Sequence, residues 1–248
     1  MRAVILAAGR GSRMGQLTAD SPKCLVTLAG KTLLDRQLAA LSAGGATELG
    51  IVRGYRAEML RRPGVVCFDN PRWDETNMVM SLAAAEAWLT TAPLIVSYGD
   101  IFYRRELVRA LTAARGDLVI TYDPSWYQLW SRRFEDPLSD AETFRIDGSG
   151  HLLEIGRKTH NPDAIQGQYM GLLKFTPSAW QKIAALLTAL DPETCDHLDM
   201  TGLLRRLLAF GYQIDTVCTT GNWGEVDSPG DLDLYETMAR NGQILLDE

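Results

Sequence analysis

Apolar runs that alternate with helical patterns organise the first half of the chain. Residues 3–8 form an unbroken apolar run, which is typical of a strand buried on both faces of a parallel sheet. Further short apolar runs predict strands at residues 49–52, 65–68, 94–97 and 118–122. Apolar positions with helical spacing predict helices at residues 31–43, 78–89 and 106–114. This order favours βαβ units, so we expect an α/β fold with a doubly wound, mostly parallel, Rossmann-like sheet.

The pattern changes after residue 123. Residues 126–133 are aromatic and basic without a clear period, and two short strands are predicted at 143–146 and 152–155 around a turn. The remaining patterns predict strands at residues 168–175 and 214–218 and helices at residues 177–190, 200–210 and 229–240. We therefore expect one domain over residues 1–248, in which residues 124–248 form a smaller lobe folded onto the sheet of residues 1–123.

Composition and net charge indicate which kinds of molecule the chain binds. The apolar content is 46% and the net charge is -6, so we expect an ordered globular chain that does not bind nucleic acid. Cys24, Cys67, Cys195 and Cys218 are scattered without metal-binding spacing, which indicates reduced thiols. The first apolar run is too short for a signal sequence or a membrane span, so we expect a cytoplasmic protein. These features leave a homodimer open.

The loop after the first predicted strand is rich in glycine and positive charge. Gly9 and Gly11 let the backbone approach an anion closely, and consecutive amides in such a turn attract negative charge. Arg13 and Lys23 add two cations near the loop. Glycine-rich turns are common, so the loop alone favours a strand-to-helix turn with surface charges over an anion site. The turns at residues 54–55 and 99–100 also follow strands, and such strand ends face one crevice in an open sheet.

Longer motifs decide between these interpretations. The string LAAGRGSRM at residues 6–14, followed by SPK at residues 21–23, resembles the N-terminal signature of the sugar-phosphate nucleotidyltransferase superfamily. The resemblance continues in later segments, namely IVRGY (51–55), GD (99–100), LLEIGRK (152–158), YMGL (169–172) and WGEVDSPGDL (223–232). It thus covers nearly the whole chain.

The resemblance implies a reaction and a catalytic set. An acceptor phosphate or phosphonate oxygen would attack the α-phosphorus of a nucleoside triphosphate in line, and pyrophosphate would leave. Arg13 and Lys23 would stabilise the triphosphate, and Asp100 and Asp227 would hold Mg²⁺. Taken alone, Asp100 is equally a turn residue and Asp227 a helix-capping residue. The resemblance also implies a nucleotide-binding half (1–123) and an acceptor-binding half with a closing helix (124–248).

The segment DETNMVMS at residues 74–81 resembles the branch of phosphocholine and small-phosphonate cytidylyltransferases, which implies CTP. Asn77 and Ser81 lie four residues apart, so a helix would present both to a cytosine ring. Their structural alternatives are a helix N-cap and a packing serine. The full predicted nucleotide-binding set is Leu6, Ala8, Gly9, Gly11, Ser12, Arg13, Lys23, Gly54, Asn77, Ser81 and Asp100.

The acceptor is less well determined. By resemblance Lys158 would grip the phosphorus group of the acceptor, although a solvated surface lysine fits the pattern about equally well. A choline headgroup would favour an aromatic cage, for which Trp126, Tyr127, Trp130 and Trp223 are available. An amine would favour a carboxylate such as Glu225 or Asp136, and a hydroxyl or carboxyl would favour Arg132, Arg133 or Arg157. The predicted acceptor-binding set is Lys158, Trp126, Arg132, Arg133, Tyr169 and Glu225.

The sequence therefore predicts an Mg²⁺-dependent cytidylyltransferase that transfers CMP from CTP to a small phosphonate, such as 2-hydroxyethyl- or 2-aminoethylphosphonate. A phosphocholine cytidylyltransferase is the first alternative. A sugar-1-phosphate nucleotidyltransferase and a non-catalytic nucleotide-binding module remain open.

Overall fold

The computed structural model describes residues 1–246. Its strands are β1 (Arg2–Ala7), β2 (Thr27–Leu28), β3 (Lys31–Thr32), β4 (Glu48–Arg53), β5 (Val65–Asp69), β6 (Leu94–Tyr98), β7 (Ile101–Phe102), β8 (Leu118–Asp123), β9 (Glu142–Ile146), β10 (Leu152–Lys158), β11 (Gln168–Phe175), β12 (Asp215–Cys218) and β13 (Gly224–Glu225). Its α-helices are α1 (Leu33–Ala43), α2 (Met78–Ala83), α3 (Glu86–Leu89), α4 (Arg105–Ala113), α5 (Trp126–Arg133), α6 (Pro177–Ala189), α7 (Pro192–Asp196), α8 (Met200–Ala209) and α9 (Pro229–Arg240). Short 3-10 helices lie at Ser12–Thr18, Lys23–Leu25, Ala57–Leu60, Pro137–Ser139 and Pro162–Ala164.

Seven strands form the central sheet in the order β12-β8-β11-β6-β1-β4-β5. β1 runs parallel to β4 and β6, β4 runs parallel to β5, and β8 runs parallel to β12. Only β11 is antiparallel to its neighbours β6 and β8 within this sheet. The predicted α/β fold with a doubly wound, mostly parallel sheet is confirmed. Strands from both halves of the chain pair in this one sheet.

The unbroken apolar run of β1 is explained by its central position. Successive side chains of a strand point to opposite faces, so Val4 and Leu6 enter one hydrophobic core while Ala3 and Ile5 enter the other. Helices cover both faces of the sheet, and a polar residue at any of these positions would be buried. The carboxyl end of β1 therefore emerges between two packed layers, where the glycine-rich loop begins.

A third, smaller core holds the last helix against the first loop. Met14 and Val26 come from the segment after β1, and Phe102 comes from β7. Tyr235 on α9 packs edge-on against Phe102, with ring centroids 4.9 Å apart. Ser228 is the N-cap of α9, as predicted, and exchanges hydrogen bonds with Asp231 in a capping box. This core holds α9 against the segment that follows β1.

Some predicted boundaries differ from the structure. The helix predicted over residues 78–89 is two helices, α2 and α3, and the chain turns at Ala85, whose methyl group is buried. Residues 126–133, which show no clear period, form the helix α5. Trp126 and Trp130 on this helix are buried and Leu129 packs partly against the core, so tertiary packing stabilises so short a helix.

The hairpin β9–β10 packs on the sheet through one face. Leu152 is buried in the same core as Val4 and Leu6, whereas the neighbouring Leu153 is about half exposed. Helix α8 packs against β10 and contributes Leu203, Leu204 and Leu207 to the same core. Within residues 1–246, the helices lack the length and apolar content needed to cross a membrane.

Leu152→Ala and Leu153→Ala test whether the hairpin contributes to the common core. We expect Leu152→Ala to lower the free energy of unfolding by about 2–5 kcal/mol, because it leaves a cavity. Leu153→Ala should change it by less than about 0.5 kcal/mol, because that side chain faces solvent. Denaturant unfolding followed by circular dichroism measures both, and equal losses would show that the hairpin does not share the core.

Candidate active site

The glycine-rich loop begins where β1 ends and is shaped around Lys23. Gly11 has a left-handed backbone with φ of 73°. A Cβ atom at residue 11 would lie only 2.5 Å from the Cβ of Lys23, so a larger residue would displace the lysine. The Gly11 carbonyl accepts hydrogen bonds from the Met14 amide and the Thr18 hydroxyl. The loop is therefore closed on itself, with Lys23 held against it.

A two-stranded bridge brings distant acidic residues together. Asp100 follows β6, and the next two residues form β7, which pairs antiparallel with β13. In this register Glu225 lies opposite Ile101, and the Val226 amide donates to the Asp100 carbonyl at 2.9 Å. Gly224 is required here, because a Cβ atom at residue 224 would lie 2.5 Å from the Tyr235 ring. The bridge places Asp227 beside Asp100.

Three carboxylates meet at this point. Asp100, Glu225 and Asp227 each offer an oxygen, and these oxygens lie within 4.8 Å of one another. The Lys23 amine donates to Asp100 Oδ2 at 2.8 Å and also to Asp227 Oδ1. Arg13 Nη2 donates to Asp227 Oδ1 at 2.8 Å. The four residues predicted to be catalytic thus share one cluster, and the structure adds Glu225, which the sequence suggested for the acceptor.

The chemistry of this donor set fits a hard divalent cation. Asp100 Oδ1 is buried and has no hydrogen-bond partner among the described residues. A buried carboxylate oxygen without a partner is costly, and carboxylate oxygens are the ligands that Mg²⁺ prefers. Asp100, Asp227 and Glu225 are therefore the residues that would hold Mg²⁺.

Burial and neighbouring charges shift the pKa values of the ionisable groups in the cluster, and they often act in opposite directions. Burial disfavours the charge on Lys23, but Asp100 and Asp227 outweigh it and raise the pKa of the ammonium. Burial also opposes the charge on Asp227, and Lys23 outweighs it, so the pKa of this carboxyl is lowered. For Glu225, burial and then the charges of Asp227 and Asp100 raise the pKa well above its ordinary value. A cation bound beside Glu225 would therefore stabilise the charged form of this carboxylate.

Two adjoining cavities open at the cluster. The first has a volume of about 240 Å³ and the second about 320 Å³, and both are lined by Arg13, Met78, Tyr98 and Asp100. The first cavity also contains the other loop residues, so most of the predicted nucleotide-binding set lines it: Leu6, Gly9, Gly11, Ser12, Arg13, Lys23 and Asp100. A cavity of about 430 Å³, lined by Asp117, Lys182 and Asp215 among others, lies at the opposite edge of the sheet.

Four predicted nucleotide-binding residues do not line either cavity. The Ala8 carbonyl accepts from the Tyr55 amide, and Gly54 allows this contact, because a Cβ atom there would lie 2.6 Å from that carbonyl oxygen. Asn77 caps α2 and donates to the His197 carbonyl at 3.2 Å.

Ser81 is buried, and its hydroxyl accepts from Asn70 Nδ2 at 3.1 Å. In this structure Asn77 and Ser81 therefore have the structural roles of a cap and a packed serine. Met78, between them, is the residue of this segment that faces both cavities.

Acidic and aromatic side chains line the second cavity. Glu142 comes from β9, Asp199 is the N-cap of α8, and Glu225 closes the end near the cluster. Burial raises the pKa of Glu142 even though Lys158 opposes the shift. Tyr169, which was predicted here, lies beside Tyr98 with their hydroxyl groups 3.3 Å apart. A cation fits this lining better than an anion does.

Other residues predicted to bind the acceptor do not line either of these two cavities. Trp126 is 3% exposed and its indole N–H donates to the Ile165 carbonyl, so it is part of the core. Arg132 lines a separate cavity beside Trp223 and donates to Gln243. Arg133 has a fully buried side chain that pairs with Asp231, so it cannot reach a ligand. Trp130 and Trp223 are also buried, and the predicted tryptophan cage does not form.

Lys158 lies at the rim of the second cavity and not in its lining. Its amine donates to the Asp140 carbonyl at 3.2 Å and lies near Glu142, its partner across β9 and β10. Its predicted contact with the acceptor is not tested by this arrangement.

Comparison with known proteins identifies the family. Residues 3–160 match the MobA-like NTP transferase domain. A CTP:phosphoglutamine cytidylyltransferase from Campylobacter jejuni is 35% identical over 250 residues, which cover 94% of this chain and 98% of that protein. A 2-aminoethylphosphonate cytidylyltransferase from Lancefieldella rimae is 28% identical over 177 residues, covering 66% of this chain and 64% of that protein.

Solved structures agree on the fold. The inositol-1-phosphate CTP transferase from T. maritima has a TM-score of 0.75 at 19% identity, covering 96% of this chain and 95% of that one. The CTP:phosphocholine cytidylyltransferase from Streptococcus pneumoniae has a TM-score of 0.73 at 18% identity, covering 96% and 98%. The family match and the full-length relative from C. jejuni show that this chain belongs to the MobA-like NTP transferase family, within the nucleotidyltransferase superfamily that its motifs resemble.

Proposed function

We propose that this chain transfers CMP from CTP to a small acceptor that carries both a phosphoryl or phosphonyl group and an ammonium group. The observation that carries this proposal is the pair of cavities that meet at the carboxylate cluster. One cavity is lined by the glycine-rich loop and its cations, which suits a triphosphate. The other is lined by Glu142 and Asp199, which suits an amine.

The reaction requires one bond to form and one to break. An anionic oxygen on the acceptor's phosphorus group bonds to the α-phosphorus of CTP, while the bond from that phosphorus to the bridging oxygen of pyrophosphate breaks. Arg13 and Lys23 lie where they would bind the triphosphate and neutralise charge on the departing pyrophosphate. Bound to Asp100, Asp227 and Glu225, Mg²⁺ would supply further positive charge at the phosphate oxygens.

Within this class of acceptor we place a phosphorylated glutamine first and a small phosphonate second. The relative from C. jejuni, named for phosphoglutamine, matches nearly the whole chain, whereas the relative from L. rimae, named for 2-aminoethylphosphonate, matches two thirds of it. Both named acceptors carry an amine. The aromatic side chains of Tyr98, Tyr169 and Phe144 line the second cavity and also suit an ammonium.

A substrate panel tests the proposal directly. Pyrophosphate release is measured with CTP, UTP, ATP and GTP, each against phosphoglutamine, 2-aminoethylphosphonate, 2-hydroxyethylphosphonate, phosphocholine and glucose-1-phosphate, with Mg²⁺. We expect turnover with CTP and an amine-bearing acceptor. Turnover confined to glucose-1-phosphate would instead make the chain a sugar-1-phosphate nucleotidyltransferase, and no turnover in any pairing would favour a non-catalytic nucleotide-binding module.

Asp100→Asn and Asp227→Asn test the proposed metal site. Each keeps the shape of the side chain but removes a charge from the cluster, so we expect kcat to fall by about 10²–10³-fold or more. Thermal unfolding should still be cooperative. Asp20→Asn is the control, since its carboxylate is 92% exposed and lies outside the cluster. Near-normal turnover in either cluster variant would remove that residue from the metal site.

Glu142→Gln tests recognition of the amine. Losing the charge should lower kcat/KM for 2-aminoethylphosphonate by about tenfold to a hundredfold, with little change for 2-hydroxyethylphosphonate. The KM for CTP should stay the same, because Glu142 lines only the second cavity. Glu154→Gln, on the neighbouring strand β10, is the matched control. An equal loss for both phosphonates would mean that Glu142 does not select the amine.

A further inference from the structure

Arg133 is a buried cation behind the carboxylate cluster. Its side chain has no exposed surface and packs against the rings of Trp130 and Phe134, with ring centroids 4.7 and 5.0 Å from the guanidinium carbon. It lines neither of the two cavities that meet at the cluster. A buried guanidinium loses its hydration, and hydrogen bonds and opposite charges have to compensate for that loss. The groups that Arg133 contacts therefore indicate its role in the structure.

Those partners are the carboxylates of the cluster and the helix cap beside it. Nε donates to Asp231 Oδ1 at 2.7 Å, and Nη2 donates to Asp231 Oδ2 at 3.3 Å. Nη1 donates to Glu225 Oε2 at 3.4 Å, and Nη2 lies 3.7 Å from Asp227 Oδ2. One planar group thus links Asp231 to two members of the cluster.

Asp231 in turn accepts hydrogen bonds from the backbone beside the cluster. Its Oδ2 accepts hydrogen bonds from the Asp227 amide at 3.0 Å, from the Ser228 amide at 2.9 Å and from the Ser228 hydroxyl at 3.0 Å. The same carboxylate therefore fixes the start of α9 and the backbone of Asp227. Arg133 donates to both oxygens of the Asp231 carboxylate. This ion pair holds the carboxylate in the orientation that makes these bonds.

We propose that Arg133 is a positioning residue for the metal site: it orients Glu225 directly and Asp227 through Asp231, and it touches neither substrate. The inference rests on the proposed function, since it requires the carboxylate cluster to hold a divalent cation. It replaces the sequence-based prediction that Arg133 binds the acceptor. Groups that orient metal ligands from behind typically change metal affinity or activity by about 10–100-fold when they are removed.

The test measures metal binding separately from turnover. Mn²⁺ binding to the protein is measured by the enhancement of the water-proton relaxation rate, which distinguishes protein-bound Mn²⁺ from Mn²⁺–CTP in solution, with saturating CTP and no acceptor. We expect Arg133→Met to weaken Mn²⁺ binding by about 10–100-fold. Arg133→Lys should recover part of the loss, because lysine keeps the charge but cannot bond to two carboxylates in the same fork. The acceptor KM at saturating metal should stay the same in both variants.

Arg2→Met is the matched control. Arg2 also pairs with a carboxylate, Glu48 at 3.0 Å, and stacks on an indole, that of Trp88, but it lies at the far end of β1. It should keep wild-type Mn²⁺ affinity even if its melting temperature falls as much as that of Arg133→Met. Should Arg133→Met not fold, Arg133→Lys and Asp231→Asn carry the same test.

Three outcomes would overturn the inference. Wild-type Mn²⁺ affinity in folded Arg133→Met or Arg133→Lys would show that the guanidinium does not orient the cluster. A raised acceptor KM with unchanged Mn²⁺ affinity would show that Arg133 positions Glu225 for the acceptor and not for the metal. Failure of the wild-type protein itself to bind Mn²⁺ with CTP would refute the proposed metal site, and with it the role of Arg133, so the two failures are distinguishable.

Discussion

The repulsion among three clustered carboxylates is the constraint on which the site depends. Like charges 4 Å apart repel by about 1 kcal/mol in water and by about 4 kcal/mol near a protein surface. Asp100, Glu225 and Asp227 lie within this range of one another, so the fold has to supply positive charge to keep them together. It does so with Lys23 and Arg13 on the cavity side and with Arg133 on the core side.

The fold holds these charges in place with short-range steric fits. Gly11 leaves room for the stem of Lys23, and Gly224 leaves room for the ring of Tyr235. The strand pair β7–β13 then fixes the distance between Asp100 and Glu225 through backbone hydrogen bonds. This strand pair joins residues 101–102 to residues 224–225, so the cluster forms only when these distant parts of the chain have come together. Folding and assembly of the site are therefore coupled.

Residues at the ends of predicted strands could be located from the sequence. The apolar run of β1 predicts a buried parallel strand, and the strand-end rule places the glycine-rich loop and Asp100 at one crevice. The motif resemblance then adds Lys23 and Asp227. These predictions succeed because each depends on local pattern or on a long string of residues.

Partners that depend on the three-dimensional path of the chain could not be located in this way. Arg133 and Asp231 are 98 residues apart, and no periodicity links them. The eight residues of α5 are too few to show a sustained helical period, so neither the helix nor the burial of Trp126 is visible before the fold is known. The sequence predicts Glu225 only as a carboxylate for the acceptor. Its place in the cluster follows from the register of β13 against β7.

In the proposed reaction, the charged groups that line only one of the two cavities would direct each substrate to its own cavity. In the proposed reaction both substrates carry phosphorus-oxygen anions, so phosphate recognition alone does not keep them apart. The carboxylates Glu142 and Asp199 line only the second cavity and would repel a triphosphate from it, while Lys23 lines only the first and would repel an ammonium from it. An acceptor with an amine at one end and a phosphorus group at the other is then oriented with its phosphorus toward the cluster. In the proposed reaction, repulsion at the wrong cavity would therefore act together with attraction at the right one.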